Sequence, residues 1–482
     1  MYAVCEVTAQ NTLQEEKKME SFISGVKTKG KWQQTANNVL SFFRDFFNSY
    51  LFYLFLTALA CVFVVTRNEV YGVIVFVALI GALLLICDDI VPAVAPFLLV
   101  CVFSTNCYDS FDTFIGYAKY APVVAACALF HFIVYHKKFS FGDSLWGIYV
   151  VSIAICMGGI GRFTVTEYAF GAYYVLGLSF GMLGGYFLVK SELSVPRKYD
   201  LRVRASVLMT LMGLMCVAII AYGRYSYAMG VRFENAQTDY GYSTNNLATF
   251  LMFAMPFPLY LAKKKHWLWA ALTPVLYGFL CITGSRSGLL LGTVEMTACG
   301  IYWIAQAKRK SGAVIRFVLC GLAGLAVLVV LGDYIWEIFN RRIVNEDIIG
   351  SERYQMIFQS FQNFRENPWV GTGILDDSIV YGSINVKGTM AWYHMMIPQV
   401  IGSMGLVGIV AYSFQFFGRT KLILKNKSWW SICLGLSYFG ILLMSQVNPG
   451  EFCPVPFELL TVALFILQEE RHTRHPLWTK GV

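Results

Sequence analysis

Four residues of this chain are of types that could do chemistry together: His394, Arg232, Arg286 and Arg353. An imidazole with an unperturbed pKa near 6.5 can accept a proton at physiological pH. A guanidinium is permanently charged and grips phosphate through a planar fork of two hydrogen bonds. The combination suits proton removal from a nucleophile beside a bound anionic, phosphate-bearing group. Their placement singles them out. When the apolar segments are threaded as roughly fourteen alternating membrane spans, 11 of the 38 Lys and Arg fall on one face, nine of them Arg, the two lysines being Lys119 and Lys387. The other 27 lie in short loops and both tails of the opposite face, which the positive-inside rule makes the cytoplasm. His394 is the single histidine that this threading turns outward, where a long loop re-enters the membrane.

Each candidate has a plainer reading. Arg286 lies in Thr283-Gly284-Ser285-Arg286-Ser287-Gly288, at the junction of two apolar spans. It is either a snorkelling interfacial arginine or an anion ligand, since small neighbours allow close backbone approach. Arg232 precedes Asn245-Asn246, and an Asn at a helix start most often caps it. Arg353 opens an amphipathic segment, with Arg341, Arg342 and Arg365 read as partners for nearby acidic residues. Glu295 falls inside a span and is expected to hydrogen-bond a neighbouring span. No metal is indicated, because DxD pairs, His clusters and a phosphate-cradling P-loop are missing from the sequence. No cofactor is implied.

The elements that must position these residues are membrane helices. The chain has 482 residues, 57% hydrophobic and 14% charged, against about 25% charged for a soluble domain. An all-α integral membrane protein with about 12–14 transmembrane helices follows. The net charge of +9 is topological, so no nucleic-acid partner follows from it. The thirteen cysteines form no CxxC pair and fall mostly within spans, where Cys behaves as a small apolar residue; Cys101 and Cys107 could bridge near the outer surface. No cleavable signal peptide is expected, since the first long apolar run begins near Asn48.

The chain divides into a cytoplasmic tail (1–47), a transmembrane bundle (48–335), an extracytoplasmic loop (336–393), further transmembrane helices (394–468) and a second cytoplasmic tail (469–482). The span at 90–105, with Pro92 and Pro96, is the weakest and could be re-entrant. Within the long loop, Tyr354, Ile357, Phe358, Phe361 and Phe364 recur at helical spacing until Asn367-Pro368 ends the run. This predicts an amphipathic helix over 351–366, lying on or over the outer mouth of the bundle.

Four blocks resemble the O-antigen ligase and polysaccharide polymerase superfamily of bacterial inner-membrane proteins. They are Arg232-Phe233 with Asn245-Asn246-Leu247-Ala248, then Thr283 through Gly288, then Arg353 through Pro368 with Gly371-Thr372-Gly373, and finally His394 followed by Gly402, Gly405 and Leu406. The blocks cover roughly 230–410. Met395 stands where the family commonly has Asn. The resemblance implies a helical bundle of the GT-C glycosyltransferase class and a glycan donor on undecaprenyl diphosphate. It implies a glycan or glycolipid acceptor, both presented on the extracytoplasmic face of the bacterial inner membrane. Arg232, Arg286 and Arg353 would bind the diphosphate, and His394 would be the catalytic base. Lipid diphosphate is a good leaving group, so preorganised cations rather than a general acid are needed as it departs. A transporter or flippase of lipid-linked glycans is the competing class; it should carry broken helices and ionisable groups near the membrane midplane.

Overall fold

The computed structural model describes residues 41–106, 121–135, 137–159, 175–193, 199–231, 241–305, 311–312, 315, 352–374, 393–425, 427–448 and 450–470. Two compact units divide the chain, 1–56 and 57–482. In the first, the rings of Phe46 and Phe47 pack on Phe52 at centroid distances of 5.7 and 5.2 Å.

Among the described residues the structure is helical, without strands. Helix α1 spans Tyr50–Val65, α2 Glu69–Ile86, α3 Val91–Asn106, α4 Ala121–Val134 and α5 Leu145–Ala154. Then follow α6 Met182–Glu192, α7 Leu201–Ala228, α8 Thr244–Ala254, α9 Phe257–Lys264 and α10 Leu272–Cys281. The last five are α11 Arg286–Ala305, α12 Glu352–Glu366, α13 Met396–Lys425, α14 Trp429–Met444 and α15 Leu459–Glu469. The helix expected over 351–366 is thus α12. The end of the expected transmembrane bundle, 316–335, lies outside the described residues.

Among the described residues four helices, α2, α7, α11 and α13, are long and apolar enough to cross a membrane. A fifth is added if Ser41–Phe47 and Tyr50–Val65, bent by 61°, form one span. Two further apolar stretches are broken by the backbone. The apolar stretch 245–262 divides into α8 and α9 at Pro256, which has no N–H to continue the ladder. The stretch 450–468 becomes a short turn, a wide turn over Pro454–Glu458 and α15. Outward faces carry Leu290, Ile301 and Phe417, suited to lipid.

Lipid tails are as apolar as leucine, so helices associate here through close packing of small residues. On α11, Gly288, Gly292, Glu295 and Cys299 form one buried face at spacings of three and four. A Cβ at Gly288 would lie 2.7 Å from that of Ala248 on α8, and one at Gly292 would lie 2.8 Å from Leu280 on α10. At Gly440 on α14 a Cβ would lie 2.5 Å from Glu295 Oε2. Glu295 does not make the interhelical hydrogen bond expected of it: both of its oxygens are buried with no hydrogen-bond partner. The glycine opposite provides space, and no donor fills it.

Candidate functional site

The decisive local feature is a break in α13. Gly405 adopts φ 58° and ψ −148°, dividing the element into 396–404 and 406–425. In an unbroken helix the amides of Leu406 and Val407 would donate to the carbonyls of Gly402 and Ser403. They donate instead to Pro368 O at 2.8 Å and Trp369 O at 3.0 Å. The freed carbonyls of Gly402 and Ser403 accept from the amides of Thr372 at 3.0 Å and Gly373 at 2.8 Å. The segment after α12 therefore inserts into the gap and satisfies all four groups, which is what allows irregular backbone inside a membrane bundle. Gly371 and Gly405 are required by this approach: both have positive φ, and a Cβ at Gly405 would lie 2.6 Å from Pro368 O.

This insertion fixes α12 against α13, and its consequence reverses part of the expected amphipathic face. Met356, Ser360 and Asn363 are buried, whereas Phe358 and Phe361 are exposed. Tertiary satisfaction of Asn363 decides this. Its amide donates to the Tyr393 hydroxyl at 2.7 Å, and that buried ring packs on Gly402. The Tyr393 amide in turn donates to Gln399 Oε1 at 3.0 Å.

His394 follows directly. Tyr393 and Met395 on either side are buried, while His394 is exposed with φ 54°, in the left-handed region. Such a conformation costs a non-glycine residue of order 1–3 kcal/mol and survives where the surroundings over-determine it. Here the determinants are Tyr393 below and the amide of Met396, which donates to Ser445 O at 2.7 Å. The imidazole is presented to the outside of the fold by a backbone pinned on both sides. Met395, the departure from the family pattern, belongs to the small core with Met356 and Tyr393.

Arg286 is placed by a second set of bonds. Gly284, at φ 88°, turns the chain into α11. The Ser285 amide donates to Thr283 Oγ1 at 3.1 Å, and Ser285 Oγ accepts from the Gly288 amide at 3.0 Å, capping the helix. The same hydroxyl donates to Asn245 Oδ1 at 2.8 Å. Asn245 is therefore a cross-helix acceptor rather than the expected cap, since Ser243 holds the N-cap of α8. Arg286 is left exposed at the first position of α11, where the helix dipole favours anions.

The turn after α14 joins the two arrangements. Asn448 donates to Asn246 Oδ1 at 2.9 Å and to Thr249 Oγ1 at 3.3 Å, and Asn246 donates to Thr105 O at 2.9 Å. Three residues earlier, Ser445 holds the backbone beside His394. Sequence reasoning missed this turn, because Ser445 and Asn448 carry no local motif. It also missed Arg224, which donates from Nε to Ile282 O at 3.1 Å and from Nη2 to the same oxygen, buttressing the 283–285 loop. The signal was available: Arg224 is among the arginines that the threading turns outward, but α7 runs on to Ala228 and holds it on a helix rather than in a loop. Arg353 lies in the first turn of α12. Arg232, Arg341, Arg342 and Cys107 lie outside the described residues, and Cys101 is a buried free thiol. Among the described residues no group of His, Cys, Asp and Glu has metal-binding geometry.

Two comparisons are silent: no curated protein and no solved structure matches the chain. The third is informative. Residues 269–413 match the model of a family described as O-antigen ligase, Wzy_C. The matched stretch runs from the approach to α10 through the break in α13 and contains Arg286, Arg353 and His394, but not Arg232.

Proposed function

We propose that this chain, whose residues 269–413 are of the O-antigen ligase family, is a membrane glycosyltransferase. It moves a glycan from an undecaprenyl diphosphate carrier to a glycan or glycolipid acceptor on the extracytoplasmic face of the bacterial inner membrane. Arg286 and Arg353, with Arg232, hold the diphosphate, and His394 takes the proton of the attacking acceptor hydroxyl. A single displacement inverts the anomeric centre, and the arginines stabilise charge on the departing diphosphate without a metal. A base in hydrogen-bond reach contributes about 10²–10⁴-fold. The reading rests most on one observation: the Ser445–Asn448 turn ties the His394 backbone and the Arg286 loop to one support.

A second reading, a transporter of the same lipid-linked glycans, is favoured by the broken α13 and the buried Arg419–Glu458 pair. Purified protein with an undecaprenyl diphosphate-linked glycan, candidate acceptors and EDTA separates the two. Transfer by the wild type, abolished in His394→Ala and Arg286→Ala, supports the enzyme, and the productive acceptor tells ligase from polymerase. Transfer undiminished in both variants rejects this site. Carrier movement across vesicles without any transfer places the transporter first.

A further inference from the structure

Glu295 has no role in the site just described and is an acid buried within an apolar helix. It is the tenth of the 20 residues of α11, so about 15 Å of helix separates it from either end. It is fully buried, and neither carboxyl oxygen has a hydrogen-bond partner. Cys299, one turn along the same helix, interacts electrostatically with it and also with Cys433 of α14. From α10, the Tyr277 hydroxyl is engaged with Thr293 at 2.8 Å. Opposite the carboxyl is Gly440, where any Cβ would lie 2.5 Å from Oε2. A place has been made for this side chain, and no described cation neutralises it.

The contrast with the other intramembrane acids is direct. Glu451 and Glu458 share Arg419, which donates to both, and Glu458 also accepts from Gln415 at 2.9 Å. Burying a bare carboxylate costs far more than burying a neutral acid. We propose that Glu295 is a proton-binding site at mid-membrane, held as the uncharged carboxylic acid and open to modification by hydrophobic carbodiimides. An apolar cleft lined by Met296, Cys299, Gly300 and Trp303 lies along the neighbouring turns of α11, on the approach a hydrophobic reagent would take.

The modification is a balanced addition. The carboxyl proton passes to one carbodiimide nitrogen while a carboxyl oxygen bonds to the central carbon, forming an O-acylisourea. The acyl group then migrates to nitrogen, giving a stable N-acylurea with no atom lost. Only the protonated acid supplies that proton, and the dry surroundings suppress hydrolysis.

The test treats full-length protein in vesicles with dicyclohexylcarbodiimide at about pH 8, where exposed carboxyls with ordinary values near 4 are ionised. Peptide mass mapping should place the adduct on Glu295, and E295Q should lose it. Infrared spectra should show a protonated-carboxyl carbonyl band in the wild type that E295Q removes, with its thermal midpoint unchanged. A band that E295Q leaves intact overturns the proposal, as does an adduct confined to other carboxyls. Should E295Q fail to fold, mapping on the wild type alone decides: modified Glu295 supports the site, and unmodified Glu295 rejects it. Neither readout depends on glycan transfer.

Discussion

At the scale of single residues, His394 and Arg286 differ in what holds them. His394 is forced outward by a left-handed backbone between two buried neighbours, whereas Arg286 extends from a capped helix start. Replacing His394 by Ala should therefore lower kcat by about 10²–10⁴-fold with little change in donor KM, the signature of a lost base. Arg286→Lys should keep the charge yet raise donor KM and lower kcat, because an ammonium cannot reproduce the bidentate fork. Steady-state transfer assays read both. A lysine variant with wild-type constants would show that Arg286 serves only as an interfacial charge.

The element that matters most is the broken helix α13 with the 367–373 segment in its gap. Four backbone bonds cross between them, and they leave no volume for a side chain at the break. Gly405→Ala would combine a positive φ with a contact of 2.6 Å to Pro368 O. It should cost about 1–3 kcal/mol, read as a lowered thermal midpoint, and should lower transfer by displacing His394. Asn448→Ala should act differently, leaving His394 in place while loosening Asn246 and the loop behind Ser285. Its expected mark is a raised donor KM with kcat held within a few fold.

For the whole molecule, the question is how a bundle in lipid becomes specific without a hydrophobic force between helices. Small residues on α11 supply close packing, and buried polar groups supply register. The central polar assembly is Arg419 of α13 with Glu451 and Glu458, joined to α15, with the guanidinium 5.3 Å from the centre of the Phe465 ring. Elsewhere in the bundle, His131 and Lys137 converge on Glu192 at 2.9 and 3.0 Å. Arg419→Met should destabilise the fold by about 3–5 kcal/mol, since two buried acids lose their only described cation. A double-mutant cycle with Glu458→Gln in detergent denaturation should be strongly non-additive. Additivity would show that the pair contributes nothing as a unit.

Several things were fixed by sequence alone. Apolar runs, the sorting of Lys and Arg, and the spacing 351–366 depend on periodicity and transfer free energy, which are local quantities. They gave the helical membrane class and the place of α12, and they marked His394 and Arg286, both exposed in the fold, as candidates. The motif blocks, read as a resemblance, anticipated the matched family, and three of the four fall within its matched stretch, 269–413. Other features only tertiary structure decided. Phe358 and Phe361 turn outward because Asn363 finds Tyr393, Asn245 accepts from Ser285 instead of capping, and Glu295 meets a glycine rather than a donor. The joining of the His394 and Arg286 arrangements through Ser445 and Asn448 belongs to the same class. Each depends on which distant polar group arrives to satisfy a buried one. No local pattern encodes that, because the partners are separated by 30 to 202 residues of chain.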